Sequence, residues 1–400
     1  MPTIVPPPPP LVTPPPEESS DQAVILPSAT PTPQALKVAL LVPLAGPNAT
    51  VGRALLDSAQ LALFDVADER FELVPRDTAG PEGAGRAASD AIAAGAQLIL
   101  GPLLGDEIAA VSAAARATGA PVVSFSNNAS AAQPGVFVLG ILPRQEVTRV
   151  VAYARERGAA RFAALLPNNA YGQLAEEALR RALDGGGEVV AVERYEPGAA
   201  DLSPAVRRLA AAERRAATTM GIPSPVAPGL PQGTQSQLPA EVGFDAILLP
   251  ESGDRLLSLA PLLPFFDLDP NRFRYLGITA WGDPRVAREP ALIGGWYAAP
   301  APESAERTRF VRVSRDAYGR DMPPIATLGY DAVALAAALA KSGNVGTAAL
   351  TNPDGFLGVD GLFRLRDDGT NDRRLAILQV QRGNPRVLDP AAERFVDVTD

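Results

Sequence analysis

The stretch "VALLVPLAGPNATVG", Val38 to Gly52, runs from a block of aliphatic residues directly into proline, glycine and asparagine. Continuous rather than alternating hydrophobicity is typical of a strand buried on both faces of a parallel sheet. The residues that follow place Val51, Leu55 and Ala59 near helical spacing, which predicts a helix. The stretch therefore predicts a buried strand, a loop at its carboxyl end, and the start of the first helix.

The same pattern recurs along the chain. Apolar runs such as "FELVPRD", "AQLILGP" and "PVVSFS", and later "RFAALLP", "FDAILLP" and "FRYLGI", alternate with amphipathic segments of helical length. This alternation predicts an α/β fold with two doubly wound parallel-sheet units. The C-terminal part adds a strand in "IGGWYAAP", a helix over Ser304 to Tyr318 and a long apolar helix in "IATLGYDAVALAAALAKSG". A hairpin is predicted around Asp367-Asp368-Gly369.

The composition excludes several classes of function. The chain has no histidine and no cysteine, so Ser-His-Asp and Cys-His nucleophiles and ordinary zinc or copper sites are excluded. With 36 basic and 45 acidic residues the net charge is -9, which does not suit a nucleic-acid-binding protein. Neither a Walker A nor a G-x-S-x-G motif is present. An enzyme with paired carboxylates, such as Glu251, Asp254 and Asp283, passes these exclusions and is the alternative. Loop carboxylates usually cap helices or face solvent, so we expect no enzyme activity, no cofactor, no metal and no nucleic-acid partner.

Two segments are expected to lie outside the folded units. Residues 1–35 are rich in proline and lack the basic and apolar regions of a signal peptide, which predicts a disordered linker. Residues 216–243 are rich in Pro, Gly, Ser and Gln and predict a mobile surface insertion.

The loops after the predicted strands carry the candidate site, because ligands of open α/β sheets bind beyond the carboxyl ends of the strands. Their neutral hydrogen-bonding groups and two aromatic rings suit a polar organic ligand better than a phosphate. Asparagine also caps turns, and a tyrosine at a helix start also packs there, so a purely structural role remains an alternative for each. The candidate ligand-binding residues in these loops are Asn48, Ser126, Asn127, Asn128, Tyr171, Glu251 and Trp281.

Several of these stretches resemble the type I periplasmic binding proteins, in the branch similar to leucine/isoleucine/valine-binding proteins. They are "VALLVPLAGPNATVGRALLDSAQLAL", "LILGPLLGDEIAAVSAAARATGAPVVSFS", "LLPNNAYGQ", "DAILLP" and "LGYDAVALAAALA". The resemblance implies two lobes joined by three crossovers that close on a ligand like a hinged trap. It implies a first lobe of 36–141 plus 292–345 and a second of 142–291 plus 346–395.

The resemblance also bears on the ligand. Amino-acid binders of this branch hold the α-carboxylate with a hydroxyl residue where this chain has Gly105, which adds Gly105 to the candidate site. They place an aromatic residue where this chain has Val51, and an acidic group in the loop that matches "GITAWGD", near Trp281 and Asp283. An α-ammonium buried without a charge partner is costly, so an ordinary amino acid is not the expected ligand.

A sub-branch is similar over further stretches: "DAILLPESGDRLLSLAPLLPFFDLDP", "LGITAWGDP", "LIGGWYAAP" and "GFLGVDGLFRLRDDGTNDRRLAILQVQRG". These resemble the penicillin-binding protein activators, lipid-anchored envelope proteins that stimulate a peptidoglycan synthase. The resemblance implies a periplasmic regulator tethered to a membrane through an N-terminal lipid anchor not present in this sequence. The alternative is the solute-binding component of an ABC importer, with a permease as partner and a small polar compound or amino acid as ligand.

Overall fold

The computed structural model describes residues 36–68, 70–219 and 243–395, including all side chains except those of 214–219. The linker predicted over 1–35 lies outside the described residues. So does the predicted insertion over 216–243, except at its ends, where the helix before it continues to Thr219.

The strands follow the apolar runs of the sequence. The first strand, for example, is buried at every residue except Lys37, as its continuous hydrophobicity predicts. The strands are β1 Leu36–Val42, β2 Phe71–Asp77, β3 Leu98–Leu100, β4 Val122–Ser124, β5 Val136–Val138, β6 Arg161–Pro167, β7 Glu188–Tyr195, β8 Ala246–Leu248, β9 Arg274–Gly277, β10 Trp296–Ala299, β11 Phe356–Gly358, β12 Gly361–Leu365, β13 Asn371–Arg373, β14 Ala376–Gln379 and β15 Arg386–Asp389.

Helices separate these strands, and short 3-10 helices follow several of them. The α-helices are α1 Ala49–Val66, α2 Gly83–Ala93, α3 Ile108–Ala115, α4 Pro143–Glu156, α5 Ala170–Ala182, α6 Ser203–Thr219, α7 Gly253–Leu259, α8 Leu262–Phe265, α9 Ala305–Tyr318, α10 Ala326–Ser342 and α11 Thr347–Leu350. In the described residues, no helix has the length and apolar content needed to cross a membrane.

Two sheets confirm the predicted α/β architecture. A five-stranded parallel sheet, in the order β2-β1-β3-β4-β5, forms lobe one, with α1 and α10 on one face and α2 and α3 on the other. A seven-stranded sheet, in the order β15-β14-β10-β9-β8-β6-β7, forms lobe two. Within it, β14 and β15 are the antiparallel strands, and the others pair in parallel. The predicted hairpin is β12 and β13 in a third, three-stranded sheet.

The chain crosses between the lobes three times, but two of the boundaries differ from those expected. Strand β10 pairs with β9 and so belongs to lobe two, although 292–345 was expected in lobe one. Residues 346–373 were expected in lobe two, yet Leu350, Phe363 and Leu365 pack into the core of lobe one. The second and third crossovers therefore lie after Ala299 and after Arg373. The boundaries differ because tertiary contacts decide which sheet a strand joins. An apolar strand can pair in either sheet, and its composition does not indicate which one.

Buried polar side chains tie the crossovers together. Asn371 is fully buried, and its Nδ2 donates to the carbonyls of Val138 (2.7 Å) and Gly140 (3.0 Å) in the first crossover. Gln145 at the start of α4 donates to the Asn371 carbonyl at 2.6 Å. Arg373 donates to the Leu139 carbonyl at 2.8 Å. The first and third crossovers are thus one hydrogen-bonded unit beneath the two lobes.

A glycine in the first turns of a helix sets the contact between helix and strand in both lobes. A Cβ built on Gly52 of α1 would lie 1.8 Å from the carbonyl oxygen of Pro43, just beyond β1. A Cβ built on Gly172 of α5 would lie 1.9 Å from the carbonyl oxygen of Pro167, at the end of β6. Real Cβ atoms cannot approach an oxygen that closely, so both helices pack against their strand ends through glycine.

A third close contact gives a test of the lobe-one packing. Replacing Gly329 of α10 with alanine should lower the free energy of unfolding by about 1–3 kcal/mol, because the methyl group would meet the Leu55 carbonyl oxygen at 2.4 Å. Urea unfolding measures the difference. Gly198→Ala is the matched control, since no atom lies within 4 Å of a Cβ there. Equal stability of the two variants would contradict the close packing of α10 on α1.

Candidate functional site

The loops expected to carry the site lie at the carboxyl ends of the parallel strands of both lobes. In lobe one they follow β1, β3 and β4, and in lobe two they follow β6, β8 and β9. Parallel strands bring these ends to one edge of each sheet. The candidate site therefore has two parts, one at the edge of each sheet.

The edge of lobe one brings three predicted residues together. A Cβ on Gly105 would lie 3.1 Å from Ser126 Oγ and 3.4 Å from Asn128 Nδ2. Ser126 is buried, and its Oγ accepts from the Asn128 N–H at 3.1 Å. Asn128 Oδ1 in turn accepts from the N–H (3.0 Å) and hydroxyl (2.7 Å) of Ser130. The oxygens of Ser126 and Asn128 thus hold the loop, while Gly105 adds no side chain beside them.

The other two asparagines contribute less to this edge. Asn127 is exposed. Asn48 is half-buried at the start of α1, where its carbonyl accepts from the Gly52 N–H at 2.9 Å and its side chain makes no capping bond.

Two polar residues of this edge were missed from the sequence. The Thr78 hydroxyl and Glu107 Oε2 are both buried and lie close to each other, so that hydrogen bonding from Thr78 partly offsets the rise in the pKa of Glu107. Burial is the main cause that raises the pKa of Glu107, and the nearby negative charge of Asp106 raises it further. Thr78 follows β2 and Glu107 follows β3, so their positions at strand ends were readable, but their burial was not.

The edge of lobe two is acidic and rich in tyrosine. The Tyr171 hydroxyl is buried without a partner among the described residues, and burial, with Glu146 and Glu251 nearby, raises its pKa. Glu251 accepts from the Tyr195 hydroxyl and, at 2.9 Å, from the Ser252 N–H. The structure thus brings the predicted Tyr171 and Glu251 together, and adds Tyr195 and Glu146, which sequence reasoning missed.

Trp281, by contrast, is a core residue. Its side chain is 2% exposed and fits against two glycines: a Cβ on Gly277 would lie 2.1 Å from the ring, and one on Gly295 2.7 Å. The indole N–H is buried with no partner in the described parts of the chain. The neighbouring Asp283 pairs with Arg285 at 2.7 Å. The Asp283 carboxylate is therefore engaged by Arg285, and the unpaired indole N–H of Trp281 lies inside the core of lobe two.

Glu146 connects this edge to the crossovers. It lies in the first turn of α4, next to Gln145, and its Oε1 accepts from the Thr279 N–H at 2.7 Å. No positive charge offsets its burial, which raises its pKa to about 7. A carboxyl group sensitive to neutral pH thus lies between the crossover and the loop after β9.

The chemistry of the two edges is that of hydrogen bonding. Carboxylate and hydroxyl oxygens at these edges can bind a polar organic ligand that donates hydrogen bonds. In the ranges that the structure describes, acidic residues form no group of three or more able to hold a metal ion. A surface cavity of about 410 Å³ beside Arg155 and Gly186 lies apart from these loops. A second cavity, of about 150 Å³, lies beside Asp77, whose Oδ1 accepts from the Leu44 N–H in the loop after β1 at 2.8 Å.

A family model described as periplasmic binding protein matches residues 35–385. The chain belongs to the periplasmic binding protein family. The expected type I fold of the leucine/isoleucine/valine-binding branch is confirmed, since solved structures of that kind align along nearly the whole chain. The family's solute-binding proteins are not enzymes, in agreement with the expected lack of catalysis.

Three solved structures illustrate the likeness of fold. An ABC transporter substrate-binding protein from Sphaerobacter thermophilus is 18% identical, with a TM-score of 0.68 over 91% of this chain and 98% of its own. The branched-chain amino acid transporter substrate-binding protein LivJ from Streptococcus pneumoniae, in complex with isoleucine, is 19% identical, with a TM-score of 0.61 over 89% and 100%. A solute-binding protein from Rhodopseudomonas palustris, in complex with 3,4-dihydroxybenzoic acid, is 18% identical, with a TM-score of 0.63 over 90% and 97%.

A curated relative, an uncharacterised protein of Rickettsia prowazekii, is 26% identical over 175 residues. The match covers 44% of this chain and 47% of the relative, so the chain spans about half the length of the curated relative it matches.

The buried carboxyl of Glu146 predicts a pH dependence of stability. Its folded pKa of about 7 lies above the ordinary value of 4.5, so folding favours the protonated form. The protonated Glu146 carboxyl makes its full contribution to the free energy of unfolding below pH 4.5. As the pH rises from 4.5 to 7, the unfolded chain loses this proton first, and about 3 kcal/mol of stability is lost in total. Glu146→Gln keeps an acceptor for the Thr279 N–H and should remove this loss.

Urea unfolding across that pH range tests the point. The stability of Glu146→Gln relative to the parent should rise between pH 4.5 and 7.5. Glu177→Gln, which removes an exposed carboxylate from the same lobe, controls for the loss of one charge. Parallel pH profiles for Glu146→Gln and the parent would contradict the placement of an uncompensated carboxyl group at this site.

Proposed function

We propose that the chain is a non-catalytic envelope protein of the penicillin-binding protein activator type, which regulates peptidoglycan synthesis from outside the cytoplasm. Membership of a periplasmic binding protein family supports an extracytoplasmic place of action. The stretches that resemble the activators, from "DAILLPESGD" to "LQVQRG", support the regulatory role. An N-terminal lipid anchor is part of this proposal.

One observation favours a regulatory role over amino-acid transport. In the loop where the resemblance places the acidic partner of an α-ammonium, Trp281 is in the core and Asp283 is paired with Arg285. At the position of the hydroxyl residue for the α-carboxylate stands Gly105. A bound amino acid would lack these two partners, and an unpaired buried charge costs several kcal/mol.

Direct binding to a peptidoglycan synthase tests the proposal. The purified chain should associate with a bifunctional penicillin-binding protein in a pull-down and increase its rate of glycan polymerisation. A leucine-binding protein of the same fold serves as the negative control. If the chain neither binds the synthase nor changes its rate, the activator role is wrong.

A second candidate function is the solute-binding component of an ABC importer for amino acids or related small polar compounds. The observation in its favour is the edge of lobe two, where the unpartnered Tyr171 hydroxyl lies near the carboxylate of Glu251. These groups suit a ligand with hydrogen-bond donors. Among the neighbours of similar fold, one holds isoleucine and another 3,4-dihydroxybenzoic acid.

A thermal-shift screen of amino acids, amides, short peptides and aromatic acids separates this function from the first. A ligand at about 100 times its Kd should stabilise the chain by about 2.7 kcal/mol if it is an importer component. Tyr171→Phe should then reduce the shift, whereas the control Tyr318→Phe, a residue on α9 that bonds to the Asp57 carbonyl, should not. No shift with any compound would argue against the importer.

A further inference from the structure

A row of stacked arginine and aromatic side chains lies at the opposite end of lobe two from the candidate site. The Arg157 guanidinium lies 4.8 Å from the centroid of the Tyr153 ring, and that ring meets Trp296 edge to face at 5.1 Å. The Arg274 guanidinium covers the other side, 4.5 Å from the centroid of Trp296. The Tyr153–Trp296 pair thus has an arginine stacked on each of its two rings.

The register of lobe two extends this row across the sheet. Arg274 and Trp296 open β9 and β10, so they lie at the amino ends of the strands, away from the carboxyl-end loops. Trp296 is paired with Gln379 of β14, and Gln379 with Arg386 of β15. Paired residues point to the same face of a sheet. We call Arg157, Arg274, Trp296 and Arg386, which lie around the buried ring of Tyr153, the arginine–aromatic patch.

The arginines of this patch lack acidic partners. In the described part of the chain, no carboxylate lies within 4.0 Å of Arg157, Arg274 or Arg386. Two carboxylates of neighbouring strands are engaged elsewhere, since Asp245 pairs with Arg161 at 2.8 Å and Asp389 pairs with Arg149. Glu156, beside Arg157 in the chain, is exposed to solvent.

Arg274 is the most informative member. It is half-buried, donates to the Gly294 carbonyl, and has its pKa lowered by burial without an opposing charge. A partly desolvated guanidinium without a counter-ion is unfavourable for folding alone. The buried Trp296 indole N–H beside it also has no partner among the described residues. The half-buried Arg274 guanidinium is the group that an acidic ligand would pair.

We propose that the arginine–aromatic patch is a docking surface for an acidic peptide segment of a partner protein. The planar guanidinium binds a carboxylate through two parallel hydrogen bonds, and stacking on an aromatic ring fixes its plane. Arginine and tryptophan are among the residue types that contribute most to binding at protein interfaces. The patch is basic, although the chain has a net charge of -9. The electrostatic potential of the protein therefore steers an acidic segment towards this patch. This proposal does not depend on the function of the carboxyl-end loops.

An anionic membrane is the less suitable partner. Bilayer attraction is produced by clusters of exposed, flexible basic side chains. Here Arg274 is half-buried and held by Trp296, and the chain has two lysines in total, Lys37 and Lys341, neither in the patch.

Fluorescence anisotropy with a labelled glutamate-rich peptide tests the proposal on the full chain. The parent should bind this peptide and not its glutamine counterpart, and the affinity should fall as salt rises to about 0.15 M. Arg274→Gln and Arg157→Gln should each weaken binding about tenfold, or 1.4 kcal/mol. Arg116→Gln removes an exposed arginine of lobe one that has no carboxylate within 4.0 Å among the described residues, and it should leave binding unchanged.

Each other outcome overturns the proposal. Absence of peptide binding by the parent contradicts it, as does equal weakening by Arg116→Gln, which would indicate a general charge effect. Binding to phosphatidylglycerol-containing vesicles without binding to the peptide would assign the patch to lipid. Arg157 is exposed, so its variant tests the patch even if Arg274→Gln unfolds, which melting curves would reveal.

Discussion

The close approach of a helix to a strand-end carbonyl is the contact on which the rest of the structure depends. It occurs twice, through Gly52 against Pro43 in lobe one and Gly172 against Pro167 in lobe two. Any side chain at these glycines would push the helix away from its strand. The residues just before them, Val51 and Tyr171, are thereby brought to the edges of their sheets. The stretch "VALLVPLAGPNATVG" contains both residues of the contact in lobe one, Pro43 after the first strand and Gly52 in the first helix.

The two lobes share a polar connection beneath these edges. Asn371 and Arg373 bind the carbonyls of the first crossover, and Gln145 extends the network into α4. Glu146, the next residue, reaches Thr279 in the loop after β9. The hydrogen bonds of the crossovers therefore continue directly to the edge of lobe two. A change of charge at Glu146 acts on both, because a buried carboxylate must be either solvated or protonated.

Most of the fold was predictable from local patterns. Continuous apolar runs predicted the strands, since burial on both faces leaves no polar alternation, and Asp367-Asp368-Gly369 predicted the hairpin of β12 and β13. The sheet to which β10 belongs was not predictable, because strand pairing is decided by tertiary contacts. The same limit placed residues 346–373 in the wrong lobe.

The ligand-binding role of the candidate residues stays a prediction. The structure places Ser126 and Asn128, taken from a strand-end loop, next to Gly105, taken from the family resemblance. Trp281 was assigned to the site because it lies in a strand-end loop that the resemblance matches to a ligand-binding loop, yet Gly277 and Gly295 make room for its ring in the core. Tyr195 and Glu146 were missed because their neighbours come from distant parts of the chain.

Amide hydrogen exchange of Gly52→Ala and Gly172→Ala tests the central role of the glycine contacts most directly. Exchange reports the local stability of each helix and strand separately. Gly52→Ala should speed exchange in α1 and β1 while α5 and β6 keep the parent's protection, and Gly172→Ala should do the reverse. Unchanged protection in both variants, or the same loss throughout both lobes, would contradict the account.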